Sequence, residues 1–67
     1  MRKMNFDEDT LLTLSRIAVI RSIIEGLYDD IGYLKYLDNR KASLYIATVD
    51  DKLKELRDYI IKEGKHD

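Results

Sequence analysis

Two series of large apolar residues, each spaced by alternating steps of three and four, constrain the fold of this chain more than any other feature. The first series consists of Ile17, Ile20, Ile24, Leu27, Ile31 and Leu34. The second series consists of Ala42, Ile46, Val49, Leu53, Leu56 and Ile60. Such spacing keeps side chains on one face of an α-helix. The sequence therefore predicts an all-α antiparallel helical hairpin, in which two apolar seams face each other across one turn.

The first predicted helix, helix A, extends from about residue 7 to residue 37. Asp7 is the expected N-cap, because its carboxylate can accept a hydrogen bond from a free amide of the first turn. Gly26 and Gly32 each cost about 1 kcal/mol relative to alanine inside a helix. The apolar seam stays in phase across both glycines, which favours one helix with a kink near them.

A polar break at Asp38-Asn39-Arg40-Lys41 separates the two helices, and Asn39 tolerates the left-handed conformation of a turn. Helix B is predicted from about residue 41 to residue 63. Gly64 follows its last apolar residue and provides the stop signal.

A second interpretation of this region stays open. Thr48 and Asp51 have the spacing of a capping box, and the residues before Thr48 favour β structure by propensity. A shorter helix that begins near Thr48 would make a three-helix bundle the alternative fold. A monomeric three-helix domain would also result if helix A broke near Gly26 and folded back on itself.

The first half of helix A carries more apolar surface than one neighbouring helix can cover. Its apolar residues are Leu11, Leu12, Leu14, Ile17, Ala18, Val19, Ile20, Ile23 and Ile24. At about 100° per residue they spread over more than half of the helix circumference, and a helix that is apolar nearly all round is buried by several neighbours. Two hairpins that pair as a homodimeric four-helix bundle satisfy this requirement. Leu12, Val19 and Ile23 are the predicted dimer interface, because the seam itself should lie between helices A and B.

Length and composition restrict the class of protein. The 67 residues provide one small helical domain, spanning residues 1–67, and a chain of this size commonly needs a partner or a staple for stability. The chain has no cysteine, 12 basic and 13 acidic residues, and no apolar run suited to a membrane span. Acidic residues closely follow its basic start, which argues against a secretory signal. We therefore expect a cytoplasmic protein without membrane association.

The sequence contains no convincing catalytic or metal-binding constellation, and no cofactor is expected. Glu25 and Asp29 lie four residues apart, but no further ligand matches their spacing. His66 is the only histidine and lies beside the C-terminus, where no second group would orient it. The serines have no recognisable base partner. We therefore expect a protein that is not an enzyme.

Residues near the turn are the candidates for binding a partner. Tyr33, Tyr36, Leu37 and Leu44 are out of phase with the seams, and tyrosine with apolar neighbours is typical of interaction hot spots. The predicted function is stoichiometric binding of another protein by a small homodimeric module that serves as an adaptor, an inhibitor or a small regulator.

Basic residues near the turn support a competing hypothesis. Lys35, Arg40 and Lys41 could contact phosphates if the hairpin dimer bound nucleic acid. Arg16 and Arg21 of helix A could extend this basic strip. Small helical-hairpin dimers that bind paired RNA loops provide an analogy of shape, without any shared motif.

Overall fold

The computed structural model describes residues 6–64 and shows an antiparallel hairpin of two long helices. Helix α1 spans Glu8–Gly32 and helix α2 spans Asn39–Gly64. The described residues contain no strand. The predicted all-α hairpin is confirmed, whereas the three-helix alternative is not found within residues 6–64. His66 lies outside the described residues.

Helix α1 begins where the sequence predicts and ends earlier. The side chain of Asp7 accepts a hydrogen bond of 2.8 Å from the backbone N–H of Thr10, as an N-cap does. The helix is continuous through Gly26 and ends at Gly32, so the prediction that it reaches residue 37 is wrong. The Nζ of Lys35 donates to the carbonyl of Gly32 at 3.4 Å. This contact satisfies one of the carbonyls that a helix leaves free at its C-terminus.

The connection between the helices consists of residues 33–38 and is made of tight turns. The backbone N–H groups of Tyr33, Leu34 and Leu37 each donate to a carbonyl three residues earlier, which is the geometry of 3₁₀ turns. No described residue has a positive φ angle, so the left-handed conformation predicted for Asn39 is wrong.

Helix α2 begins at Asn39, two residues before its predicted start and well before the alternative start at Thr48. Asp38 caps the helix, because its Oδ1 accepts from the backbone N–H of Lys41 at 3.2 Å and its carbonyl accepts from Ala42 at 3.0 Å. The hydroxyl of Thr48 donates to the carbonyl of Leu44 at 2.9 Å. This bond joins residues four apart within a helix, so Thr48 does not act as an N-cap.

The core of the hairpin is small and lies between the two helices. Ile17 and Ile24 of α1 and Ile46 of α2 are its buried apolar residues among those described. Residues along the same contact are partly buried and include Leu14, Arg21, Ile31, Asp50, Leu53, Arg57 and Ile60. The observed contact therefore shares only some residues with the predicted seams. The other predicted seam residues remain exposed, namely Ile20, Leu27, Leu34, Val49 and Leu56.

Candidate interaction surface

An ion pair joins the middle of the two helices and fixes their register. The Nε of Arg21 lies 2.9 Å from Oδ1 of Asp50, and its Nη2 lies 3.4 Å from Oδ2. The Nζ of Lys54 lies 3.8 Å from the same carboxylate. Both partners of the main pair are partly exposed, so the pair is partly screened by water. Arg21 and Asp50 therefore occupy the same level of the hairpin, and residues forward from Arg21 lie level with residues backward from Asp50.

The ion pair also perturbs the acidity of its carboxyl group. The hydrogen bond from Arg21 lowers the pKa of Asp50 below its usual value, against a smaller opposing effect of burial. A carboxyl group whose pKa is lower in the folded state adds stability at pH values above its unfolded pKa, about 3.9. That added stability is lost as the pH falls through the folded pKa.

We expect Asp50→Asn to lower the thermal midpoint at neutral pH, and we expect this difference to shrink as the pH falls through the folded pKa of Asp50, which lies below its usual value. The reason is that protonation then removes the charge of Asp50 in the native chain as well. Thermal unfolding followed by circular dichroism between pH 2 and pH 7 measures the difference. Asp51→Asn is the matched control, because Asp51 is exposed and lies one residue outside the contact. A difference that persisted unchanged at pH 2 would contradict this role of the ion pair.

The exposed seam residues of both helices lie on one side of the hairpin. In α1 they follow the buried Ile17 and Ile24 by three residues, and in α2 they follow Ile46 and Leu53 by three. Viewed along the hairpin, a right-handed helix winds clockwise in α1 and anticlockwise in α2, because the two run in opposite directions. A step of three residues from a residue at the helix contact therefore leads to the same side of the hairpin in both helices. By the same geometry, Arg21 and Asp50 lie towards the opposite side.

We call this surface the apolar face and define it by Ile20, Ile23, Leu27, Val49 and Leu56. All five are exposed, with values from 41% for Leu27 to 64% for Ile23. The register of the ion pair places Val49 at about the level of Ile23. The residues thus form a band that runs along both helices rather than separate apolar side chains.

The surface area of the protein is large for its size. The chain as a whole exposes 5723 Å², whereas folded monomers of 7.9 kDa expose about 4,400 Å². Its radius of gyration is 15.9 Å, compared with about 11 Å for a globular domain of this length. Domains bury their apolar surfaces between packed layers. A single layer of two helices leaves the apolar face without a covering layer.

The predicted interface residues are all exposed and lie along one stripe of α1. Ile23 lies at the edge of the apolar face. Leu12 lies about 20° from Ile23 around the helix, and Val19 lies about 40° from it, because they precede Ile23 by 11 and by four residues. The two are 54% and 58% exposed. They extend the outer edge of the apolar face, and their role in an interface stays a prediction.

The loop end of the hairpin carries the predicted partner-binding residues. Tyr33 and Tyr36 belong to the connection and are 79% and 82% exposed. Leu37 follows them in the connection, and Leu44 lies on α2. The two tyrosines are thus available for contact with another molecule.

Basic and acidic side chains alternate at this end. Arg40 and Lys41 are exposed in the first turn of α2, and within residues 6–64 their side chains form no ion pair or hydrogen bond. Lys35 reaches back to the carbonyl of Gly32. Asp30 and Asp38 lie nearby in sequence, so the three basic residues do not form an uninterrupted positive patch.

The described residues lack the features of a metal site, an enclosed pocket and a membrane-spanning helix. No group of three or more histidine or carboxylate side chains could hold a metal ion. The two helices enclose no pocket within this part of the chain. Within residues 6–64, neither helix combines the length and the apolar character needed to cross a bilayer.

Comparisons of the chain with protein-family models, with curated proteins and with solved structures found no match. The structure by itself defines a two-helix hairpin with one uncovered apolar face. Its function is therefore inferred from its own geometry and chemistry.

Proposed function

We propose that the protein is a non-enzymatic helical interaction module that pairs with a second copy through the apolar face and binds another protein stoichiometrically. In the pair, two hairpins stack face to face as a four-helix bundle. The observation that carries this proposal is the uncovered band of Ile20, Ile23, Leu27, Val49 and Leu56.

Helical periodicity supports pairing through this face. The residues between the helices and those of the apolar face together form the alternating series expected for the core of a four-helix bundle. One hairpin buries only every second residue of that series. Ile17 and Ile24 are buried, whereas Ile20 and Leu27, which alternate with them, are exposed. A second copy has the same exposed residues, and the two sets can cover each other.

The molar mass in solution tests the pairing. Light scattering after size exclusion, repeated from micromolar to millimolar concentration, is expected to give twice the mass of the chain at the upper end. A mass of one chain at every concentration would refute the dimer. A mass larger than two chains would favour a structural assembly element.

The loop end provides the surface for the second partner. In the four-helix bundle the apolar face is covered, whereas Tyr33 and Tyr36 stay accessible because they lie in the connection. Large aromatic side chains contribute much contact area with little loss of entropy. We therefore assign contact with the protein partner to Tyr33, Tyr36, Leu37 and Leu44.

We expect Tyr33→Ala with Tyr36→Ala to reduce capture of the bound protein at least tenfold while the mass of the dimer stays unchanged. Affinity capture from the native host with quantitative mass spectrometry measures the loss. Tyr59→Ala is the matched control, because Tyr59 is similarly exposed but lies near the other end of the hairpin. Equal loss in both variants would contradict a specific role of the loop end.

The same experiment separates protein binding from nucleic-acid binding. Phosphate contacts make affinity fall steeply with added salt. If the captured molecule is RNA or DNA, and Arg40→Glu with Lys41→Glu abolishes its binding, the basic residues replace the tyrosines as the contact and the protein-binding proposal is wrong.

A further inference from the structure

We infer that the hairpin folds only as it pairs with its second copy, so that the loop end is formed in the dimer and not in the single chain. This inference rests on the proposed homodimer and adds a way in which partner binding is controlled. Below the dissociation constant of the dimer, Tyr33 and Tyr36 have no fixed position. Binding of the protein partner therefore depends on the concentration of the chain itself.

The apolar core within one hairpin is small for a domain that folds alone. Ile17, Ile24 and Ile46 are the buried apolar residues among those described, and no described side chain is less than 2% exposed. Sixteen large apolar or aromatic residues are exposed. Chains of this length are commonly marginal in stability even when their core is well covered. The contact between α1 and α2 thus gives a single chain little apolar stabilisation.

The middle of this contact is polar. Arg21 and Asp50 occupy it, and their side chains are 30% and 22% exposed. An ion pair that water reaches contributes little to the free energy of unfolding. The pair defines the register of the helices, but it does not replace the missing apolar contact.

The charges at the loop end oppose the dipoles of both helices. Asp29 and Asp30 lie in the last turn of α1, which contains no basic residue. Arg40 and Lys41 lie in the first turn of α2, which contains no acidic residue. Acidic groups are unfavourable near the negative C-terminal end of a helix, and basic groups are unfavourable near its positive N-terminal end. The cap by Asp38 offsets only part of this effect, so the helices need packing to be stable at this end.

A second copy provides apolar contact on the scale of a stable interface. The five residues of the apolar face, with Leu12 and Val19 at its outer edge, are each about half exposed. Seven side chains of this size leave on the order of 700 Å² uncovered, close to the 800 Å² or so that each partner buries in a stable complex. Homodimers that depend on such contact often have no stable folded monomer.

The loop end depends on both helices for its shape. The backbone N–H groups of Tyr33 and Leu34 donate to the carbonyls of Asp30 and Ile31 in α1, each at 3.1 Å. The connection ends at Asp38, which caps α2. When the helices unfold, these bonds are lost and the two tyrosines lose their positions. Pairing is therefore required for the surface that binds the protein partner.

Dilution of the native chain tests the coupling. Circular dichroism at 222 nm measures the helix signal, and sedimentation velocity measures the mass of the same samples. We expect the helix signal per chain to fall about fourfold between ten times and one-tenth of the dissociation constant, together with the mass. We also expect the thermal midpoint to rise by about 5 °C for each tenfold increase in chain concentration.

Val49→Glu tests the coupling at a fixed concentration. We expect this variant to lose the mass of a dimer and the helix signal together, although glutamate has a higher helix propensity than valine. Leu11→Glu is the matched control and is expected to keep both. Leu11 is 52% exposed, and it lies about 160–180° around α1 from Ile20 and Leu27. Hydrogen exchange followed by mass spectrometry should show that residues 33–37 lose protection together with both helices.

The outcomes separate this inference from the homodimer on which it rests. A chain that is a dimer at high concentration and keeps its helix signal when dilution lowers its mass to one chain would overturn the coupling and leave the homodimer intact. A native mass of one chain at every concentration would refute the homodimer itself, and the coupling with it.

Discussion

Replacement of Ile17 by alanine is expected to lower the free energy of unfolding by about 2–4 kcal/mol, because the change removes three carbons from a buried site. Ile17 is 4% exposed, the lowest value among the described apolar residues. Among residues 6–64 the core contains two other buried apolar residues, Ile24 and Ile46, so little remaining apolar contact compensates the loss. Small domains are commonly only marginally stable, and we expect the variant to be partly unfolded at 37 °C.

Urea unfolding followed by circular dichroism at 222 nm measures this loss. Leu12→Ala is the matched control, since Leu12 is 54% exposed on the same helix and its replacement is expected to cost less than about 1 kcal/mol. Both variants should be compared at the same chain concentration, because association adds concentration-dependent stability. Equal losses in the two variants would show that the contact between α1 and α2 is not the main source of stability.

The helices could be predicted from spacing, whereas their junction could not. The apolar series continues in phase from Ile31 to Leu34, so periodicity extends the predicted first helix beyond its observed end. The end at Gly32 depends on tight turns and on the reach of Lys35 to a free carbonyl. The start of α2 had a local signal, because Asp38 and Asn39 both have the residue type of an N-cap. The sequence alone does not choose between the two.

The sequence alone could not distinguish the apolar residues that face the neighbouring helix from those that the hairpin leaves exposed. Residues that face the neighbouring helix and residues that face a second hairpin are both apolar and alternate at the same spacing, as Ile24 and Leu27 do. Periodicity therefore assigns both to one seam. The structure separates them by exposure and shows that each seam leaves part of its apolar surface uncovered.

Arg21 and Asp50 could have indicated the register of the two helices from the sequence. They lie at the contact between the helices, but they are charged and therefore do not belong to the apolar series. Opposite charges that become level when the chain folds back are an indication of register. The pair indicates that both helices face each other through residues other than the full predicted seams. Part of each seam then lies on the apolar face, which becomes the proposed dimer interface. The contribution of Leu12 and Val19 to any interface stays a prediction.

Replacement of Val49 by glutamate is expected to raise the dimer dissociation constant at least 100-fold. Val49 lies at the centre of the apolar face, and in the proposed dimer each copy would bury an unpaired carboxylate there, which costs several kcal/mol. In the single hairpin the same position is 53% exposed, and glutamate has a higher helix propensity than valine. The change therefore acts on association rather than on the helix. Light scattering measures the mass of the variant, and circular dichroism measures its helix content.

Leu11→Glu separates the apolar face from the opposite side of α1. Leu11 is 52% exposed, and its rotation of about 160–180° from Leu27 and Ile20 places it outside the proposed interface. We expect this variant to keep the mass of a dimer. If Leu11→Glu dissociates the dimer and Val49→Glu does not, the opposite side of α1 is the interface and the four-helix bundle built on the apolar face is wrong. If Val49→Glu alone dissociates the dimer, the surface that the hairpin leaves uncovered is the one that the second copy covers.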